Sequence, residues 1–279
     1  MTRNVGVIGW PVARSRSPQM HNAAFAALGL DWRYGLLPAP PDQLPAVVDR
    51  IRSGELAGAN VTIPHKSAVM PLLDEIDAAA QAIGAVNTIA IRDNRLIGYN
   101  TDAAGFEQAL SETGVEVKGR ACAVLGAGGA ARAVVYALKG LGARVTIYAR
   151  DVGRARALIG PGGQARSLAE VDRMGRETIL IVNATPVGMA PNVETMPWPE
   201  DAPFPPGALA FDLITHPRRT RWLEQAERSG ARTTNGLAML VYQGAAAFEM
   251  WTGCAAPIDV MRAAVLSDTA VGSQTRRER

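Results

Sequence analysis

The segment Gly126-Ala127-Gly128-Gly129-Ala130-Ala131 constrains this chain more than any other. It follows a short apolar run, Ala121 to Leu125, that reads as a buried strand. It opens a helical pattern over Ala130 to Leu141. The spacing is G-x-G-x-x-A. In that arrangement the first glycine permits a tight turn, the second lets backbone approach a pyrophosphate, and a small third position allows close helix–strand packing. The helix N-terminus then offers N–H groups to phosphate. A plain glycine turn could carry the same letters, but the strand–turn–helix context favours a dinucleotide site at Gly126, Ala127, Gly128, Gly129 and Ala130. The next strand, Val145 to Tyr148, ends near Arg150, with Asp151 beside it and Arg154 four residues further on. An NAD site places a carboxylate here for the ribose 2′-hydroxyl. Two guanidiniums instead suit a 2′-phosphate, hence NADP. The alternatives are ordinary surface arginines and a ribose-binding Asp151.

Strand and helix signals alternate around this motif. Strands are expected at Val5–Ile8, Trp32–Leu37, Gly58–Ile63, Ile179–Val182 and Ala208–Leu213. Helices are expected from Ser17, as N-cap with Pro18 at the first helical position, to about Leu28, over Leu44–Arg52, from near His65, and over Ala103–Thr113 and Arg154–Ile159. Val86–Ile91 and Arg95–Tyr99 flank Asp93-Asn94, a hairpin signal. Gly236 to Trp251 is apolar on most sides and reads as a helix packed between two domains. Strands alternating with helices imply a parallel sheet covered on both faces.

Composition narrows the function classes. At 279 residues the chain is long enough for about two domains of roughly 150 residues each. With 48% hydrophobic and 20% charged residues it is unlike a disordered chain. A net charge of +3, spread along the sequence, argues against a nucleic-acid partner; the short Arg276-Arg277-Glu278-Arg279 tail is expected to be disordered. Only Lys66, Lys118 and Lys139 are lysines among the 29 basic residues. Cys122 and Cys254 are too isolated for a disulfide framework or a zinc site. His21, His65 and His216 lack ligand spacing, so no metal is expected. No run reaches the ~18 apolar residues of a membrane helix, and the N-terminus does not read as a signal peptide. A cytoplasmic setting, with small-molecule partners and no membrane, is the expectation.

The remaining motifs extend over most of the chain. Gly6-Val-Ile-Gly-Trp-Pro-Val-Ala-Arg-Ser15-Arg-Ser17-Pro-Gln-Met-His21-Asn22 is followed by Asn60-Val-Thr62-Ile-Pro-His-Lys66 and Gly84-Ala-Val-Asn87-Thr. Then come Tyr99-Asn-Thr101-Asp102-Ala-Ala-Gly-Phe106, Asn183-Ala-Thr185-Pro-Val-Gly188-Met189 and the stretch Gln243 to Gly253. In order and spacing these segments resemble the shikimate dehydrogenase family. The resemblance implies an α/β architecture: an N-terminal α/β substrate domain plus a Rossmann dinucleotide-binding domain, with the cleft between them. It places a substrate-binding and catalytic domain at residues 1–102, completed by C-terminal helices over 238–279, and an NADP-binding domain at 103–237. The activity implied is reversible reduction of 3-dehydroshikimate to shikimate by NADPH, in a monomer or homodimer. A quinate or aminoshikimate dehydrogenase is the enzymatic alternative, and a non-catalytic NADP sensor the other.

The same resemblance assigns residues. Lys66 and Asp102 match the catalytic pair. A ketone receiving hydride develops alkoxide charge, which an ammonium can stabilise and protonate. A nearby carboxylate favours the charged lysine, so the pair fits reduction more simply than oxidation. A solvated lysine and a helix-capping Asp102 are the plainer readings. Ser15 and Ser17 match the serines that bind the substrate carboxylate, which suits hydroxyls beside a helix N-terminus. Ser17 could equally be an N-cap, an alternative that Ser15 lacks. Thr62, Asn87 and Thr101 match the residues that hold ring hydroxyls, with Asn60 counted beside them. Satisfied core hydrogen bonding is their alternative. Gln243, one turn after Met239, matches a glutamine that reaches the substrate. Thr185, Leu213, Gly236 and Met239 fall in segments that line the NADP site. Three positions depart from the pattern. Arg14 replaces a histidine and Ala149 an asparagine. Thr215 stands where a substrate-contacting tyrosine is common, so the expected Thr215 contact is shorter.

Overall fold

The computed structural model describes residues 1–200 and 202–267. The basic tail lies outside the described residues. In chain order the strands and helices are β1 (Arg3–Gly9), α1 (Ser17–Ala27), β2 (Trp32–Pro38), α2 (Leu44–Arg52), β3 (Gly58–Val61), β4 (Glu75–Ile76), α3 (Ala78–Ile83), β5 (Thr88–Arg92) and β6 (Arg95–Tyr99). They continue with α4 (Asp102–Ser111), β7 (Ala121–Leu125), α5 (Gly129–Gly140), β8 (Arg144–Ala149), α6 (Val152–Ile159), β9 (Gln164–Ser167) and β10 (Thr178–Asn183). The last are β11 (Leu209–Asp212), α7 (Arg221–Arg228), β12 (Arg232–Thr234), α8 (Leu237–Thr252) and α9 (Ile258–Leu266).

The chain divides into two compact units. The first holds Met1–Asp77, Val86–Tyr99 and the described residues from Gly244 onward. Its six strands run β2-β1-β3-β5-β6-β4. β1 is parallel to β2 and β3, while β5 is antiparallel to β3 and β6. The β5–β6 turn works because Asp93 and Asn94 both adopt positive φ, 49° and 60°, as a two-residue hairpin loop requires. Gly58 has no room for a side chain, since an added Cβ would lie 2.5 Å from Trp251 Nε1. That indole N–H donates to the Ile89 carbonyl at 3.0 Å, tying α8 to the sheet. The helix expected from His65 does not form. One α-type bond, Val69 N–H to His65 C=O, gives way to the 3-10 turn Met70–Leu72. Pro71 has no N–H to continue the helical ladder.

The second unit holds Ala78–Ala85 and Asn100–Gln243. It therefore includes residues 78–85, 100–102 and 238–243, which the family resemblance places with the substrate domain. Every strand pair in it is parallel, in the order β12-β11-β10-β7-β8-β9. Counted from β7 this is the 3-2-1-4-5-6 order of dinucleotide-binding sheets, whose direction reverses between β7 and β10. Parallel strands bury both faces, which explains the near-continuous apolar runs of β7 and β10. One core face packs Val124, Ile147 and Val182 with Val134 and Leu138 of α5. The opposite face packs Leu125, Tyr148 and Ile181 with Trp198, Phe204 and Trp222.

Candidate active site

The dinucleotide end of the second unit is built where its sheet reverses direction. Gly126, just after β7, has φ +106°, a conformation that favours glycine. A Cβ there would lie 3.0 Å from Thr185 Cγ2 and 3.2 Å from the Ala184 carbonyl oxygen. The turn after β7 and the loop after β10 are thus in contact. At Gly128 an added Cβ would meet nothing within 4 Å, so the backbone is open to an approaching ligand. Gly128 caps α5 in extended conformation with no side-chain cap bond and no acidic residue in the first turn. These features fit a pyrophosphate: bare N–H groups, positive helix dipole and no competing carboxylate.

The loops beside this turn are fixed by a buried network. Asn183 Oδ1 accepts from the Thr185 hydroxyl at 2.7 Å and from its N–H at 3.0 Å. The Asn183 amide donates to Asp212 Oδ1 at 3.0 Å, and Thr220 Oγ1 donates to Asp212 Oδ2 at 2.6 Å. Burial raises the Asp212 pKa to about 6, against the hydrogen bonds from Thr220, the Ile214 N–H and Asn183. Asp212 is not among the residues expected at the site from the sequence. An acidic residue ending an apolar strand and followed by Thr220 eight residues on was the available signal. Gly236 passes so close to Leu213 that a Cβ would sit 2.3 Å from its carbonyl oxygen. Leu213 and Gly236 are therefore in contact, and Met239, in the first turn of α8, is buried. Thr215 is half-buried on the segment after β11.

Arg150 and Arg154 are both exposed, at the end of β8 and in the first turn of α6. Asp151 is the N-cap of α6, its Oδ1 accepting the Arg154 N–H at 2.9 Å. That bond gives the carboxylate a structural task and weakens the ribose-binding alternative. Asp102 is 5% exposed at the start of α4. The cap of α4 comes from Asn100, whose Oδ1 accepts from the N–H groups of Asp102 and Ala103 at 3.1 and 3.3 Å. The plainer reading of Asp102 as the helix cap therefore fails. Thr101 is buried beside it. Gln243 lies against Gly105 of α4, where a Cβ would be 2.8 Å from Gln243 Cβ, and its Nε2 donates to the Leu240 carbonyl.

In the first unit, Lys66 follows β3 and is half-buried; its carbonyl accepts the Val86 N–H at 2.7 Å. The other two lysines are exposed. Thr62 is half-buried on the same segment. The local side-chain bond at the start of α1 comes from Ser15 rather than from Ser17. Ser15 Oγ accepts the Ser17 N–H at 3.3 Å at the start of α1, whose N-cap position is Arg16. Ser17, buried, is hydrogen-bonded to the Tyr34 phenol instead. Asn60 is also reassigned. Its Oδ1 accepts from Tyr34 at 2.7 Å, and its Nδ2 donates to the Asn87 carbonyl and to Thr88 Oγ1 at 3.2 and 3.0 Å. Both ends of that amide serve protein partners, so Asn60 supports the candidate site rather than offering a ligand atom. Asn87 is buried beside it.

A dinucleotide-binding sheet with a glycine turn, joined in one chain to a second α/β unit bearing a half-buried lysine, defines a nicotinamide-dependent oxidoreductase class. Within that class the comparisons are specific. A shikimate dehydrogenase substrate binding domain matches residues 7–89, and a shikimate 5′-dehydrogenase C-terminal domain matches residues 236–266. A shikimate dehydrogenase (NADP(+)) of Symbiobacterium thermophilum is 48% identical, covering 95% of this chain and 94% of its own length. The crystal structure of a shikimate dehydrogenase in complex with NADP+ superposes with TM-score 0.88 at 42% identity, over 95% of this chain and 94% of that one. The shikimate 5-dehydrogenase of Thermus thermophilus, solved with NADP(H) and shikimate, gives TM-score 0.86 at 41% identity, over 94% and 98%. The chain belongs to the shikimate dehydrogenase family.

Proposed function

We propose that this chain reduces 3-dehydroshikimate to shikimate, reversibly, with NADPH. The observation that carries the reading is the retention of Lys66 and Asp102 within family segments matched along 95% of the chain. When bound, NADPH supplies the hydride. Gly126, Ala127, Gly128, Gly129 and Ala130 would hold its pyrophosphate, Arg150 and Arg154 its 2′-phosphate, and Thr185, Leu213, Gly236 and Met239 the nicotinamide side. Lys66 would stabilise the oxygen of the reduced carbonyl and deliver its proton. Asp102 would accept from a ring hydroxyl. Ser15 and Ser17 would receive the carboxylate; Thr62, Asn87, Thr101 and Gln243 would bind ring hydroxyls.

One departure supports a second reading. Thr215 is shorter than the common tyrosine, which leaves space and removes a phenol. Quinate or an amino analogue of shikimate is the substrate class that would exploit this. A steady-state panel of shikimate, quinate and aminoshikimate, each with NADP and NAD, decides. The highest kcat/KM is expected for shikimate with NADP; a higher value for either other acid would transfer the assignment, and absence of turnover with all three would refute both readings. A cytoplasmic setting and a monomeric or homodimeric state are part of the proposal. Light scattering on the purified chain tests the latter. Among the described residues no helix is long and apolar enough to cross a membrane.

A further inference from the structure

The first unit contains a buried polar chain that leads from one candidate substrate residue to another through groups with no assigned task. Tyr34, 2% exposed on β2, is its centre. The phenol is hydrogen-bonded to Ser17 on one side and to Asn60 Oδ1, at 2.7 Å, on the other. Asn60 Nδ2 reaches Thr88 Oγ1 at 3.0 Å, and the Thr88 hydroxyl donates to Asn87 Oδ1 at 3.1 Å.

The directions of the bonds at Asn60 follow from one fixed point. Asn60 Nδ2 faces the backbone carbonyl of Asn87 at 3.2 Å. A carbonyl can only accept, so the nitrogen end of the Asn60 amide must lie there. Its oxygen end then faces Tyr34, and the phenol must donate to it. The second hydrogen of Asn60 Nδ2 goes to Thr88 Oγ1. The Thr88 hydroxyl donates to Asn87 Oδ1, which places the oxygen of the Asn87 amide toward Thr88. The nitrogen of that amide then faces away from Thr88, and a flipped amide would exchange donor for acceptor on both sides.

The phenol is held in place by more than this chain. The backbone of Tyr34 is gripped by the Asn22 side chain, which accepts from its N–H at 2.8 Å and donates to its carbonyl at 3.0 Å. Its ring stacks on His21 at 4.3 Å between centroids and 3° between planes. Burial raises the phenol pKa far above its ordinary value, keeping the donor proton on. We propose that Tyr34 is a positioning residue: through Asn60 and Thr88 it sets the orientation of the Asn87 amide, and it anchors Ser17 from the same oxygen. The inference rests on the proposed function, in which Asn87 and Ser17 bind the substrate.

Tyr34→Phe keeps the ring and removes one oxygen; Thr88→Val is isosteric and cuts the same path nearer Asn87. For the purified chain, Tyr34→Phe should raise KM for 3-dehydroshikimate about five- to thirtyfold, the range for a buried polar partner left unpaired. KM for NADPH should stay within about twofold, and kcat should fall less than KM rises. In the Thr88→Val background the same change should have a clearly smaller effect, because the path is already broken. A loosened fold would instead give full multiplication of the two effects together with a lowered melting temperature. An unchanged substrate KM in Tyr34→Phe, or full multiplication, overturns the positioning role while the activity stands. A wild-type chain without turnover of 3-dehydroshikimate overturns the proposed function itself, and the inference with it.

Discussion

Lys66 and Arg150 carry the sharpest predictions at the scale of single residues. Lys66→Ala should lower kcat by about 10²- to 10⁴-fold, the usual weight of a proton donor, with NADPH affinity nearly unchanged. Rapid-mixing turnover beside fluorescence titration of NADPH separates the two quantities, and a normal kcat would remove Lys66 from the chemistry. Arg150→Ala should weaken NADPH about ten- to hundredfold by loss of charge-assisted bonds, with little change for NADH. Equal losses for the two cofactors would count against a 2′-phosphate at Arg150. At this scale the sequence was informative about residue type and poor about direction. Lys66 stood out because the chain uses lysine only three times. That Ser15 and not Ser17 makes the local bond of α1 is not legible in sequence, since Ser17 is engaged by Tyr34 of β2. Asn60 looked like a ligand for the same reason: its partners Tyr34 and Thr88 are 26 and 28 residues away.

The elements show which local rules held. α2 and β7 fall on the expected residues, and the hairpin forms at Asp93-Asn94, because each is set by local pattern and turn chemistry. The helix expected at His65 is stopped by a local rule, the missing N–H of Pro71. The short elements β4, α3, β9, β12 and α7 are not among those expected, while α9 falls within the C-terminal helices expected over 238–279. β9 and β12 are sheet edges with little apolar alternation, and they form by pairing with β8 and β11. α6 offers a test at this scale. Its N-cap is Asp151, so Asp151→Ala should cost about 1 kcal/mol of stability. Thermal unfolding would read this as a lowered midpoint. The same variant should retain its preference for NADPH over NADH, because the carboxylate serves the helix. A switch toward NADH would return Asp151 to the ribose.

For the molecule as a whole, two buried titrations act in opposite senses. Desolvation lowers the His21 pKa to about 3, so the first unit holds it neutral. An unfolded histidine near 6.5 takes up a proton first, and stability present above that value is lost as pH falls toward 3. Burial raises Asp212 to about 6 in the second unit. Its contribution is full below the unfolded carboxylate value and is lost as pH rises through about 6. Between about pH 4 and 6 the two slopes have opposite sign and largely offset. Asp212→Asn should therefore make the unfolding midpoint fall more steeply from pH 7 to pH 4.5 than in the wild type. Denaturant titrations at both values test this, and an unchanged slope would mean Asp212 ionises as readily folded as unfolded.

The placement of the three lysines also makes the molecule readable by amine chemistry. Lys118 and Lys139 are exposed on the second unit, and Lys66 is half-buried on the first. An acylating reagent thus meets two side-chain amines that serve as internal standards and one that would report occupancy of the proposed site. Mass spectrometry of the acylated chain should show substrate protecting Lys66 alone, which gives a binding assay that needs no turnover.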